Sequence, residues 1–165
     1  YGVSKSSAHW QVANYREAYD LFACTGILFN HESILRPERF VTRKIITTAK
    51  RISEGSNEKL KLGNISIIRD WGWAPEYVEA MWLMLQKGKA SDYVIATGKS
   101  YSLSHFVDLV FGEFNLDYKK FLEIDNSFLR PSDLMESYAE PKKALDELGW
   151  KAETDIKKLV KKLVK

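Results

Sequence analysis

The chain has 165 residues, 45% of them hydrophobic, a net charge of +3 with 22 acidic side chains, and a single cysteine, Cys24. Balanced charge of that kind argues against a nucleic-acid surface or a polybasic membrane patch, and no stretch is long and apolar enough to cross a bilayer. One thiol excludes an internal disulfide or a thiolate metal site; Cys24, in an apolar run, is expected to be a buried, inert thiol of a cytoplasmic protein.

Tyr1 to Tyr19 is predicted to be a helix, with Trp10, Val12, Ala13, Tyr15 and Ala18 as its apolar face. It opens with Tyr1 and Lys5, four residues apart and therefore one turn apart on one face. A lysine ammonium beside a phenol favours the phenolate, so such a pair can exchange a proton near neutral pH. The same spacing is also the ordinary spacing of any helix. Leu21 to Phe29 is a short apolar run that fits a buried strand of a parallel sheet. Asn30, His31, Glu32 and Ser33 follow it directly. In an open α/β sheet ligands bind just past the carboxyl ends of the strands, so this cluster is placed for a site; the alternative is a plain turn with a helix cap.

Phe40 to Ser53 is predicted to be a helix with Val41, Ile45, Ile46 and Ala49 on one face, stopped near Gly55. Lys59 to Leu62 and Ile65 to Trp71 read as short strands. Pro75 opens a helix running to about Gln86, with Val78, Met81, Trp82 and Leu85 packed inward. Asp92 to Thr97 is a strand, Leu103 to Phe114 a helix capped by Ser102 or Ser104, and Lys119 to Asp125 a further strand. Asp133 to Tyr138 fits strand or helix. Pro141 to Leu148 is a helix closed by Gly149, and Asp155 to Lys165 a basic amphipathic helix whose lysines form a solvated face. Helices alternate with strands throughout, which defines an α/β fold. No G-x-G-x-x-G or G-x-x-x-x-G-K motif occurs. The chain does not begin with Met and its first helix starts in mid-pattern, so it reads as the second half of a longer polypeptide.

Several stretches, taken in order, resemble the GDP-mannose 4,6-dehydratase family of the extended short-chain dehydrogenase/reductase superfamily. They are Tyr1 to Lys5 (YGVSK), Asn14 to Tyr19, Leu21 to Ser33 (LFACTGILFNHES), Phe40 to Lys44, Leu62 to Asn64, Arg69 to Trp82 (RDWGWAPEYVEAMW), Tyr93 to Gly98, Arg130-Pro131 and Leu148 to Lys151. The resemblance implies the C-terminal half of a Rossmann-like fold plus a smaller substrate-binding domain. Residues 1–33 would end the NADP-binding domain, and 34–165 would mostly bind the sugar nucleotide, with some segments returning to the Rossmann sheet. It implies an NADP-dependent lyase that removes water from GDP-mannose to give GDP-4-keto-6-deoxymannose, the first step toward GDP-fucose or other GDP-deoxyhexoses, with a hydride borrowed and returned.

Carried over position by position, Tyr1 matches the catalytic base and Lys5 the residue that holds the nicotinamide ribose. His31 and Arg36 match NADP contacts, Asn30 a contact to the nucleotide sugar, and Arg69 and Arg130 arginines directed at the GDP diphosphate. Read without the family, Arg69 pairs with Asp70 or a helix-end carboxylate, and Arg130 is a surface loop charge. The sequence departs from the family at Ile34-Leu35-Arg36-Pro37, where Pro-Arg-Arg-Gly is usual, and the stretch Phe114 to Phe128 is shorter than in many relatives. The Gly-rich loop and the catalytic Thr and Glu of the family would precede Tyr1, so these residues alone are expected to be inactive. The first helix matches the one through which the superfamily dimerises, implying a homodimer or homotetramer with no metal. Two other readings are a related epimerase or dehydratase acting on, for example, a GDP-heptose, and a non-catalytic binding partner of a full-length enzyme.

Overall fold

The computed structural model describes residues 1–129 and 132–165. Helix α1 (Gly2–Tyr19) ends at Asp20, which takes the left-handed conformation at φ 53°. None of its residues is buried, and Trp10 and Tyr15 of its apolar stripe stand in solvent. Its firmest anchor is Arg16, which donates to both carboxylate oxygens of Asp92 at 2.8 and 3.0 Å and to the Ala23 carbonyl at 3.0 Å. Cys24 is half-buried rather than enclosed, with its Sγ 3.8 Å from the Met84 carbonyl.

Within the apolar run only its second half is a strand, β1 (Thr25–Leu28), and the polar residues that follow form a second strand, β2 (Asn30–Glu32). The polar cluster expected as a loop is therefore itself a strand. Next come α2 (Val41–Ser53), β3 (Leu60–Leu62), β4 (Ile68–Trp73), α3 (Ala74–Leu85) and β5 (Asp92–Ile95). After them lie β6 (Ser100–Ser102), α4 (Leu103–Glu113), β7 (Leu122–Ile124), α5 (Lys142–Leu148) and α6 (Ile156–Val164). The segment 133–138 is neither helix nor regular strand; it touches β4 through one bridge, Glu136 to Ile68.

Among the described residues three small sheets result. β1 pairs in parallel with β5, β2 in parallel with β4, and β3 in parallel with β7, while β6 runs antiparallel to β4. At Phe29, whose N–H donates to the Ile95 carbonyl at 3.0 Å, the chain leaves one sheet and enters the next. Among the described residues the buried apolar side chains form two cores. The larger joins α2, α4 and α6 over β3 and Trp71, with Phe106, Val110 and Leu159 wholly buried. The smaller joins α3, β5 and α5 around Tyr77, Tyr93 and Trp150.

Capping and spacing account for α4 and α6. Ser102 accepts the His105 N–H at the start of α4, and Asp155 accepts the Lys158 N–H at 2.8 Å at the start of α6. α6 buries Ile156, Leu159, Val160 and Leu163 and turns its lysines outward. α3 buries the opposite face from the one expected: Tyr77, Ala80 and Met84 are inside, while Val78, Trp82 and Leu85 are about 60% exposed. Both sets have helical spacing, so periodicity could not choose between them. The space that decides it is beside Gly72, where a Cβ would lie 2.3 Å from the Tyr77 ring. Glu76, at the start of α3, fastens the C-terminal segment. Its carbonyl accepts Trp150 Nε1–H at 2.9 Å, and its carboxylate takes the N–H groups of Glu153 and Thr154 and the Thr154 hydroxyl.

Candidate functional site

Tyr1 and Lys5 face each other at the start of α1. The Lys5 Nζ lies 5.5 Å from the Tyr1 ring centroid, and the Ser4 hydroxyl donates to the Tyr1 carbonyl at 2.7 Å. Both side chains are exposed, and Lys5 makes no ion pair among the described residues. A phenol with an ammonium held over it, and neither committed elsewhere, is an arrangement suited to moving a proton.

The register of β2 on β4 sets a second group of residues. Asn30 stands opposite Trp71, His31 opposite Gly72 and Glu32 opposite Trp73. Asn30 is exposed. His31 places Nδ1 2.8 Å from the Phe29 carbonyl. A carbonyl only accepts, so Nδ1 carries the hydrogen and Nε2 is left to meet a partner. The ring lies 4.9 Å from that of Tyr77, tilted by 31°. Tyr77 in turn lies across Gly72, leaving no room there for any side chain. Its hydroxyl is buried without a partner among the described residues. Burial, and then the charges of Asp70 and Glu76, push that phenol above its ordinary range. Tyr77 is thus a neutral wall against which the imidazole is held.

Glu32 is 2% exposed, accepts a hydrogen bond from the Thr42 hydroxyl at 2.8 Å, and has Arg36 Nε 3.2 Å from Oε2. That last pair is close enough for ionic attraction but is not aligned as a hydrogen bond. Burial raises the Glu32 carboxyl, opposed by Thr42 and by the charge of Arg36. Arg36 also lies over the Phe40 ring at 4.0 Å. The structure therefore turns Arg36 onto Glu32 and Phe40.

Arg69, on β4, pairs not with Asp70 but with Asp133, Nη2 to Oδ1 at 3.2 Å. Asp70 is fully buried and accepts the N–H groups of Thr97 at 3.1 Å and Gly98 at 2.8 Å. Burial pushes its carboxyl up, against the pull of those backbone donors. It pins the turn at the carboxyl end of β5, which Gly98 enters at φ 75°. A cleft of about 410 Å³ opens beside that turn, lined in part by Ala96, Thr97, Leu145 and Trp150. Arg130 lies outside the described residues. Among the described residues no helix is long and apolar enough to cross a membrane, and no cluster of three or more His, Cys, Asp or Glu could hold a metal.

Sequence reasoning placed Glu32 in the polar cluster but gave it no role, and missed Tyr77, Gly72 and Asp133. A glycine between two tryptophans inside a strand was the available signal for Gly72, because such a glycine marks close approach of another group to the backbone.

The parallel strand pairs with helices between them form an α/β fold, that of about half of an extended short-chain dehydrogenase. The structure superposes on dTDP-glucose 4,6-dehydratase from Bacillus anthracis in complex with NAD with a TM-score of 0.88 at 19% identity, covering 99% of this chain and 50% of that one. It superposes on RMD from Pseudomonas aeruginosa complexed with NADPH with a TM-score of 0.89 at 20% identity, covering 99% of this chain and 54% of that one. Residues 1–163 match the GDP-mannose 4,6 dehydratase family, and the chain belongs to it. It is 51% identical over 164 residues to GDP-mannose 4,6 dehydratase 2 of Arabidopsis thaliana, covering 99% of this chain and 44% of that protein. To the GDP-mannose 4,6 dehydratase of Homo sapiens it is 40% identical over 181 residues, covering 99% and 49%. The chain thus spans about half the length of these relatives.

Proposed function

We propose that this chain is the sugar-nucleotide-binding half of an NADP-dependent dehydratase that converts GDP-mannose to GDP-4-keto-6-deoxymannose. The observation that carries the reading is the open Tyr1–Lys5 pair in a chain whose family match is continuous along it. Tyr1 takes the proton of the sugar's 4-hydroxyl, with Lys5 holding the phenolate form and the nicotinamide ribose. Bound NADP would supply reversible hydride acceptance. The residues fit it unevenly: Lys5 has no competing ion pair among the described residues, and His31 leaves Nε2 for a partner, but Arg36 must leave Glu32 to reach a cofactor phosphate. Asn30, Arg69 and Arg130 bind the sugar nucleotide, the arginines by gripping its diphosphate.

Residues 1–33, with the returning segments β5, α3 and α5, belong to the cofactor domain, and most of 34–165 to the substrate domain. The two separate hydrophobic cores support that division. The active form is a cytoplasmic homodimer or homotetramer built on α1, feeding GDP-fucose or another GDP-deoxyhexose. The test is turnover of GDP-mannose by the complete polypeptide with NADP, followed by mass spectrometry for loss of water. Formation of the 4-keto-6-deoxy product is expected; turnover of a GDP-heptose but not GDP-mannose would overturn the reading.

A further inference from the structure

We propose that Asp133 is a positioning residue that fixes the Arg69 guanidinium so that its remaining N–H donors meet a diphosphate. The inference rests on the reading of Arg69 as a diphosphate ligand. Among the described residues the guanidinium makes its polar contacts with Ile68 and one stretch of chain. Nη1 donates to the Ile68 carbonyl at 2.8 Å and the Met135 carbonyl at 3.4 Å, and Nη2 donates to Asp133 at 3.2 Å. The same stretch is independently fastened to β4: Ile68 N–H donates to the Met135 carbonyl at 2.8 Å, and Ser137 N–H to the Ile68 carbonyl at 3.1 Å. The Ser100 hydroxyl adds a bond to the Ser137 carbonyl at 2.8 Å.

A guanidinium carries five N–H donors in a rigid plane. Three are spent on these contacts, so two remain among the described residues, the Nε–H included. Two donors on one rigid plane suit the bidentate grip on phosphate oxygens. These bonds already hold the chain to β4 at Met135 and Ser137, so the carboxylate is not what fastens it there. Its contact with Nη2 instead fixes the guanidinium plane: the Met135 contact is long at 3.4 Å, so without the carboxylate the plane rests mainly on the single 2.8 Å bond to Ile68 and can tilt. A carboxylate near a diphosphate repels it, so the competing account is that Asp133 merely occupies Arg69 until the ligand displaces it. The two accounts predict opposite signs.

The experiment measures GDP affinity by calorimetry on the complete polypeptide, with NADP affinity and melting temperature as controls. Asp133→Ala should weaken GDP binding about tenfold, the loss of roughly one well-oriented charged hydrogen bond. NADP affinity should hold, and Asp133→Glu should recover most of the loss. In an Arg69→Ala background, Asp133→Ala should do nothing further, because the two act as one unit. GDP binding that is unchanged or tighter in Asp133→Ala overturns the inference, as does an equal loss in both backgrounds. If Arg69→Ala itself leaves GDP affinity intact, the diphosphate reading of Arg69 falls and takes this inference with it.

Discussion

Tyr1 leaves 95% of its surface in solvent, whereas Asp70 and Tyr77, at the junction of β4 and α3, leave none. The two regions carry the two ends of the candidate site on opposite physical terms. Tyr1 and Lys5 are held by little beyond the helix they start, so what they contribute resides in their chemistry. At the junction nearly every group is fixed by another: Asp70 by the Thr97–Gly98 turn, His31 by Tyr77 and a carbonyl, Tyr77 by the missing side chain of Gly72. Substitution on α1 should therefore change rate without changing stability, and substitution at the junction should do the reverse.

The sharpest test of that contrast is Tyr1→Phe. Removing a group that transfers a proton costs roughly 10²–10⁴ in turnover. The complete enzyme should lose at least a hundredfold in kcat, while its unfolding midpoint in urea stays within the ~0.5 kcal/mol typical of an exposed site. A midpoint that falls along with kcat would break the comparison. Gly72→Ala tests the other side. The new Cβ would stand 2.3 Å from the Tyr77 ring, and that ring is walled in by His31 and Trp150. Overpacking of this kind costs about 1–3 kcal/mol, so the midpoint should drop measurably. A variant as stable as the parent would mean that Tyr77 moves freely, and the account of how His31 is held would fail.

The contrast also explains what the sequence made legible. α4 and α6 declare themselves through spacing and through the caps Ser102 and Asp155, all local signals. The run from Leu21 to Phe29 does not show that its strand is confined to Thr25–Leu28, nor that the polar residues after it pair as β2, because the partners β5 and β4 lie far along the chain. β6 is Ser-Tyr-Ser, with no strand signature of its own, and exists because β4 pairs with it. In the site, Tyr1, Lys5 and Arg69 are visible as residue types at telling positions. The partner of Arg69 is 64 residues away and could not be read from its neighbours, which pointed to Asp70. Residue types suited to the expected chemistry can be named from the sequence; the partners that folding brings to them from a distance cannot.

Glu32 offers a pH test confined to the junction side. Burial raises its carboxyl in the folded protein above the ordinary value of 4.5, so the folded state binds its proton more readily than the unfolded state. Its contribution to stability is then fully present below the unfolded value and is lost as pH rises through the folded one. Glu32→Gln removes the titration while leaving an oxygen for the Thr42 hydroxyl. The difference in urea midpoint between parent and variant should therefore shift in favour of the variant on going from pH 4 toward neutrality. A difference that is constant with pH would show that Thr42 and Arg36 together cancel the effect of burial.

The smallest effect expected is from Tyr77→Phe, and its sign is the informative part. The phenol's ring carries the packing against Gly72, His31 and Trp150, and the substitution keeps that ring. What it removes is a hydroxyl that is buried with no acceptor or donor among the described residues. Burying such a group without a partner costs on the order of 1–3 kcal/mol, so its removal should stabilise the protein, by about 1 kcal/mol once local relaxation is allowed for. Turnover should stay near the parent's, since the wall behind His31 is intact. Loss of stability instead would mean that the hydroxyl has a partner, with Asp70, whose charge acts on the phenol, as the candidate to test by Asp70→Asn. A hydrogen bond between that pair would turn Tyr77 from a passive wall into part of the network that pins the Thr97–Gly98 turn, and Tyr77→Phe would then disturb the cleft beside β5 as well as the imidazole.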